Sequence, residues 1–568
     1  MKTTRARFKH CLRYCRSIEN KARADSLARK FIAKDETSFW KDVKKLNITG
    51  TNVVASSIDG VTGEDNITNL WTSHYSNILN CNNGTTEKKY VENHIVTNCK
   101  GSPLLLDVKE VMEATLALKS GKCAGVDALH SEHFKYAGDK LSVLLTLLFN
   151  SILSHGYLPS DFMKTTIVPI LKDKKGLVTD KNNYRPIAVT TVLSKIFELV
   201  LLNRLQSKLV TADNQFGFKS GHGTDMCVYV LKHVINYYVS HDSPVFICYL
   251  DASKAFDRIN HWKLFKKLIN RNVNCSIVRL IVYWYSNQSV CIRWGSSYSS
   301  CFSVTNGVRQ GGILSPVLFN IYMDDLTIDL NGIKIGCTIN GQYINHLMYA
   351  DDTCIISPCP SSLKKLLDVC SDFATKNDIV FNELKTKCMC FKPKWLKNLI
   401  VPRISFKGND LEFVSQHKYL GIVISDDLSD ANDIKRHVRG LYGRGNMLVR
   451  TFKNCSNDVK HYLFRAYCSS IYGCPLWSSY RSADIRKAAV AYNNVYRHLF
   501  SIRRGESISQ IYVYNNVNSF YVLVRKYVFS LRECLLASSN SIISTIVSSV
   551  YYNVSALSSN WKHVLLHL

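Results

Sequence analysis

Between residues 105 and 240 the apolar positions recur at helical spacing, in Val108–Leu118, Leu141–Leu153 and Val192–Leu205, so this stretch predicts amphipathic helices. One strand-like run, Thr166–Leu171, interrupts them. From 245 to 425 strands alternate with helices. Val245–Leu250 is an unbroken apolar run of buried-strand length, and a helix follows in which Trp262, Phe265, Leu268 and Ile269 share one face. Gln342–Tyr349 and Thr353–Ser357 flank Ala350-Asp351-Asp352, which predicts a β-hairpin with two carboxylates at its tip. Helical patterns resume over 433–526, and the Ser-rich last 30 residues carry no pattern. Near the start, Ser26–Phe31 and Phe39–Val43 have helical spacing, whereas Thr49–Asn83, rich in Asn, Thr, Ser and Gly, reads as loop and linker. The fold class is α+β.

Charge narrows the partners. The 568 residues hold 72 Lys+Arg against 44 Asp+Glu, a net charge of +28, and such a surplus attracts polyanions, nucleic acid before anionic membrane. It is concentrated in residues 1–50, with 14 basic against 5 acidic side chains, and in 433–526, with 16 against 4. The first of these stretches also fits, weakly, a mitochondrial transit peptide. The 20 cysteines are scattered, without zinc-ligand spacing, and read as reduced thiols. No apolar run, Val143–Leu148 included, approaches the length of a membrane span, so the expectation is an intracellular protein that does not enter a membrane.

Three carboxylates stand in unusual settings: Asp251 at the end of an apolar strand, and Asp351 and Asp352 at the hairpin tip. Carboxylates beside buried strands are costly unless a cation lies among them, and oxygen-only ligands suit Mg²⁺. Two such ions can serve an in-line phosphoryl displacement. An isolated Asp-Asp turn is, however, commonly just solvated.

The wider sequence resembles the reverse transcriptases of non-LTR retrotransposons, of the long interspersed element, Jockey-like type. The likeness rests on ordered blocks: Gly121–Asp127; Asn183-Tyr-Arg-Pro-Ile187 with Leu193–Glu198; Gln215–Thr224; Leu250-Asp-Ala-Ser-Lys-Ala-Phe-Asp257; Gly307–Pro316 running into Leu318–Leu326; Tyr349-Ala-Asp-Asp352; Lys385-Thr-Lys387; and Tyr419-Leu-Gly421. It covers roughly 105–425. It implies a right-hand polymerase, with a basic helical N-terminal extension over 1–104, fingers over 105–245, a palm with an antiparallel sheet over 246–410, primer grip and helical thumb over 411–500, and a helical or partly disordered extension over 501–568.

The resemblance also implies roles. Asp251 and Asp351 would bind two Mg²⁺ ions, with Asp352 supporting them. Phe256 would lie under the sugar of the incoming dNTP and exclude a 2′-hydroxyl; its alternative is a core ring. Arg185 would grip the triphosphate, joined by Lys172 or a neighbour in Lys172–Lys175. Gln310 would approach the nucleotide and template, and Gly311 and Gly312 would let backbone come close to substrate. Lys387 is a candidate proton donor to pyrophosphate, and Tyr419, Leu420 and Gly421 would form the primer grip. Asp257 reads as an acid capping the helix that follows.

The implied activity is RNA-directed DNA polymerisation on an RNA template, with a DNA primer or target DNA and dNTPs, in cytoplasm and nucleus. Group II intron or telomerase-like reverse transcriptases share the palm, while an RNA polymerase would be expected to show Gly-Asp-Asp and a polar sugar contact. The non-enzymatic alternative is an inactive remnant that binds RNA or DNA. No endonuclease is legible in 1–104, so a larger open reading frame is expected, and no ribonuclease H cluster or Cys-Cys-His-Cys knuckle is seen.

Overall fold

The Val245–Leu250 strand is buried along its whole length. It is the middle strand of a five-stranded sheet ordered His346–Tyr349, Asp352–Ser357, Val245–Leu250, Lys387–Phe391, Glu412–Phe413. All neighbours run antiparallel except the last pair. The computed structural model describes residues 2–47, 55–81, 85–99, 104–173, 176–396 and 399–567. Because side chains alternate across a strand, Val245, Ile247 and Tyr249 enter one core and Phe246, Cys248 and Leu250 another. The first core is closed by the Thr224–Ser240 helix and the C-terminal helices, the second by the His261–Asn270, Ser315–Gly332 and Pro360–Lys376 helices.

A second sheet stands beside this one. Its strands Tyr184–Val189 and Lys164–Leu171 are antiparallel, and the latter runs parallel to Ser289–Trp294. The Glu64–Leu79 helix packs on it through Ile67, Trp71, Tyr75 and Leu79. This corrects the reading of Thr49–Asn83 as loop and linker: these four side chains recur every fourth residue, a helical stripe that the polar composition around them obscures. Residues 49–54 and 82–83 of that stretch lie outside the described residues.

Beyond Ser425 the described chain is helical, from Ala431–Phe452 to Ala556–His567. In the Ser-rich end, Asn540 and Ser549 cap the Ser541–Ser548 and Val550–Val554 helices with their side chains. Trp561 stacks on Tyr229 at 5.6 Å, which ties this end to the Thr224–Ser240 helix. At the other end, the helices Lys2–Ile32 and Glu36–Asn47 dock through Phe31, Phe39 and Trp40, whose rings lie 5.4–5.5 Å from that of Tyr462. No described helix is long and apolar enough to cross a membrane.

The reading of every cysteine as a thiol fails at one pair. Cys99 follows the Thr85–Asn98 helix, Cys275 opens the Cys275–Ser286 helix, and packing of these helices leaves the two Cα atoms 5.5 Å apart, joined by a disulfide.

One buried ion pair fixes the loop before the Ser315–Gly332 helix. Glu198, fully buried, accepts from Arg309 and from the Ile313 and Leu314 N–H groups, while the Arg309 guanidinium lies 4.7 Å from the Trp284 ring centre. Glu198→Ala leaves a buried guanidinium and two N–H groups unpaired, so it should cost about 3–5 kcal/mol in urea unfolding. A loss below about 1 kcal/mol would show that the pair does not hold this loop.

Candidate active site

Leu250 pairs with Thr353 and Tyr349 with Asp352. Extending the ladder by one residue sets Asp251 beside Asp352, with Asp351 in the two-residue turn between the hairpin strands. That turn is held in an unusual conformation, since Ala350 has φ +58°, a region that non-glycine residues rarely adopt. Buried Gln215 clamps it: its Oε1 accepts from the Ala350 N–H at 2.8 Å and its Nε2 donates to the Ala350 carbonyl at 3.2 Å. The chain beside it is bonded to the hairpin through Phe216 N–H to Met348 O and Met348 N–H to Asn214 O, both 2.8 Å. Gly217 is required there, because a Cβ would lie 2.3 Å from the Ala350 nitrogen. The task of the Gln215–Thr224 block depends on tertiary pairing and carries no local sequence signal.

The carboxylates open into a cleft of about 680 Å³ whose walls include Asp251, Asp351, Arg185, Phe256, Gln310 and Lys385. Burial and the charge of Asp251 raise the Asp351 carboxyl above its ordinary value, with Arg185 opposing. Asp352 is pushed up to about 6 by desolvation and then by the charges of Asp351 and Asp251. Lys385 Nζ stands 3.8 Å from Asp251. Lys172 also lines the cleft, its ammonium pushed down by burial and then by Lys385 and Arg185. The candidates Lys174 and Lys175 lie outside the described residues.

Phe256 is half-buried, stacked on Phe319 with ring centres 4.2 Å apart, and presents an edge of the cleft. Gln310 donates from Nε2 to Asp257 Oδ1 at 2.7 Å. Asp257 therefore does not cap the next helix; Asn260 does, accepting from the Trp262 and Lys263 N–H groups, because it is the residue adjoining the first turn. Gly311, at φ +130°, admits a close approach of protein backbone: a Cβ there would meet the Ala188 carbonyl at 2.6 Å. At Gly312 a Cβ would meet Ser315 Oγ at 2.7 Å.

Lys387 does not reach the cleft. Its Nζ is held 2.5 Å from Glu412 on the adjoining strand, whereas Lys385, in the turn before that strand, occupies the cleft wall. Tyr419, Leu420 and Gly421 form a tight hairpin between Gln416–Tyr419 and Ile422–Ser425, with φ of +45° at Leu420 and +84° at Gly421. Tyr472 Oη donates to the Leu420 carbonyl at 2.6 Å, bracing the tip.

The metal fit rests on the donors. Among the described residues no ion pair reaches Asp351 or Asp352, and no three or more His, Cys, Asp or Glu side chains are grouped so as to hold a metal ion by themselves. Two mutually repelling carboxylates at an open cleft fit an ion such as Mg²⁺, which takes one or two carboxylates and completes its shell with water and phosphate oxygens.

The family model described as "Reverse transcriptase (RNA-dependent DNA polymerase)" matches residues 171–424, the stretch that holds the hairpin, the strand-end carboxylate and the cleft. These residues are a reverse transcriptase domain. Over 346 residues, 59% of this chain and 36% of the relative, it is 29% identical to the RNA-directed DNA polymerase from mobile element jockey of Drosophila funebris. Over 408 residues, 69% of this chain and 44% of the relative, it is 26% identical to the probable RNA-directed DNA polymerase from transposon BS of Drosophila melanogaster. The Pol polyprotein from type-2 retrotransposable element R2DM of Drosophila melanogaster matches 51% of this chain and 28% of its own length at 28% identity. The chain thus matches 28–44% of the length of these relatives. The reverse transcriptase domain implies a right-hand polymerase fold, and its likeness is to the non-LTR retrotransposon enzymes, as the motif series indicated.

The raised Asp352 carboxyl gives a stability test of the reverse transcriptase domain. Its native value of about 6 exceeds the ordinary 3.8, so the stability this gives is complete below the ordinary value and is lost as pH rises through about 6. Above that, the ionised carboxylate burdens the fold. In buffer free of divalent ions, Asp352→Asn should melt higher than wild type at pH 8 and no higher near pH 4. A lower melting temperature at pH 8 would contradict the repulsion between these carboxylates.

Proposed function

We propose that this chain is an RNA-directed DNA polymerase of a non-LTR retrotransposon, adding deoxynucleotides to a primer 3′-hydroxyl along an RNA template. The single observation that carries the reading is the meeting of strand-end Asp251 and hairpin-turn Asp351 in one cleft with Arg185, Phe256 and Gln310. In right-hand terms, residues 105–245 supply fingers, 246–410 the palm, and 411–500 the primer grip and thumb, with extensions over 1–104 and 501–568.

In the reaction the primer oxygen attacks the α-phosphorus of the dNTP, the bond to the bridging oxygen breaks, the hydroxyl proton leaves and pyrophosphate departs. Asp251 and Asp351, supported by Asp352, would hold two Mg²⁺ ions, which lower the pKa of the attacking hydroxyl and stabilise the leaving oxygen. Arg185 presents its guanidinium fork to the triphosphate, and Lys385 and Lys172 add positive charge at the same wall. Lys385, which lines the cleft where Lys387 does not, is thereby the candidate for the role expected of Lys387 toward pyrophosphate. Phe256, backed by Phe319, excludes a ribose 2′-hydroxyl, and the hairpin at Tyr419–Gly421 grips the primer strand. The helices over 433–526 offer their basic side chains to template and product phosphates.

Purified protein with an annealed RNA template, DNA primer, dNTPs and Mg²⁺ should extend the primer, and Asp351→Asn should lower the rate by several orders of magnitude. Near-normal extension by Asp351→Asn would remove Asp351 from the reaction, and wild-type binding without extension would favour the inactive remnant. Sugar choice is a second test. Phe256→Val opens the space under the sugar, so the rNTP-to-dNTP ratio of kcat/KM should rise at least about tenfold while DNA synthesis persists. An unchanged ratio would make Phe256 a packing residue only.

A further inference from the structure

Asp257 is the one carboxylate of the cleft wall that the reaction above does not use. It is 6% exposed, and burial pushes its carboxyl up to about 6 against the hydrogen bond from Gln310, which opposes the shift. Such a group is costly to keep unless its position serves something. Its backbone anchors the Asn306–Gln310 loop: the Asp257 carbonyl accepts from Asn306 Nδ2 at 2.8 Å, and a Cβ at Gly307 would lie 2.9 Å from that oxygen. The Gln310 backbone is fixed separately, its carbonyl accepting from the Ala188 N–H at 2.8 Å. The side-chain contact between Asp257 and Gln310 is therefore not needed to hold the loop.

What that contact does is set an orientation. A carboxylate only accepts, so the Gln310 NH₂ must face Asp257, and the carboxamide oxygen is turned elsewhere. Tyr75, on the Glu64–Leu79 helix outside the matched segment, closes the far side: its ring is 2% exposed, it lines the same cleft, and the charge of Asp257 acts on its hydroxyl, which has no hydrogen-bond partner among the described residues. The acid is thus walled off from bulk water, while the half-buried amide borders the cleft.

We propose that Asp257 is a positioning residue that locks the Gln310 carboxamide with its oxygen directed at the incoming nucleotide, behind a wall supplied by Tyr75. An asparagine at 257 offers both an acceptor and a donor, so the amide could settle either way round and the lock would be lost without a change of shape. The inference rests on the polymerase reading and on Gln310 meeting the nucleotide.

The test is steady-state dNTP incorporation by full-length wild type, Asp257→Asn, Gln310→Ala and the double variant on one primer and template, with melting temperatures alongside. Asp257→Asn should raise the KM for dNTP about tenfold with kcat changed less than about threefold. Gln310→Ala should do the same, and the double variant should be no worse than Gln310→Ala alone, because Asp257 acts only through Gln310. An unchanged KM in Asp257→Asn, or losses that multiply in the double variant, overturns the proposal. So does an Asp257→Asn protein that fails to fold, since an isosteric change would then have shown a role in the fold. Wild type that does not extend at all overturns the polymerase reading and this inference with it, which separates the two failures.

Discussion

Everything at the cleft depends on one strand that cannot shift. Val245–Leu250 is hydrogen-bonded along both edges and buried on both faces, its odd residues in one core and its even residues in the other. A one-residue slip would exchange the two sets and misfit both cores, so the register is fixed by packing on two sides at once. Asp251 is the first residue past that constraint. Its location is therefore as well determined as the core itself, although its side chain stands in the open.

The opposing hairpin gains its precision differently. Ala350 adopts a backbone conformation that only surrounding structure can maintain, and Gln215 maintains it by bonding both its N–H and its carbonyl. Strain, like-charge repulsion among Asp251, Asp351 and Asp352, and cations on the facing wall all converge within one cleft. Strain and repulsion work against the fold, the cations relieve part of the repulsion, and the two large cores on either side of the central strand offset the rest. A chain of this size can carry such an arrangement because most of its apolar surface is committed elsewhere.

How legible all this was in the sequence follows from the range of each interaction. Period-two and helical patterns are local, and they marked the central strand and the helix bearing Trp262, Phe265, Leu268 and Ile269 where the structure has them, but of the expected hairpin strand Gln342–Tyr349 only His346–Tyr349 pairs in the carboxylate hairpin, while Gln342–Ile344 pairs with Cys337–Ile339 in a separate sheet. The Glu64–Leu79 helix was hidden because Ile67, Trp71, Tyr75 and Leu79 stand among Asn, Thr and Ser, so composition outweighed spacing. Contacts between distant segments were not readable at all: Gln215 to Ala350, Glu198 to Arg309 and Cys99 to Cys275. The exchange of Lys385 for Lys387 turns on Glu412, a partner 25 residues on, and Asn260 displaced Asp257 as helix cap by three positions that no pattern resolved.

The docking of the N-terminal helices on Tyr462 has a consequence for synthesis. Phe31, Phe39 and Trp40 meet Tyr462 of the Asn457–Cys468 helix, some 420 residues downstream. At roughly 5–20 residues per second, a ribosome needs on the order of 20 to 80 seconds to make the intervening chain. Throughout that interval Phe31, Phe39 and Trp40 pack on one another but lack the ring that completes the cluster. The docking face of these two helices is thus made well before the helix that covers it.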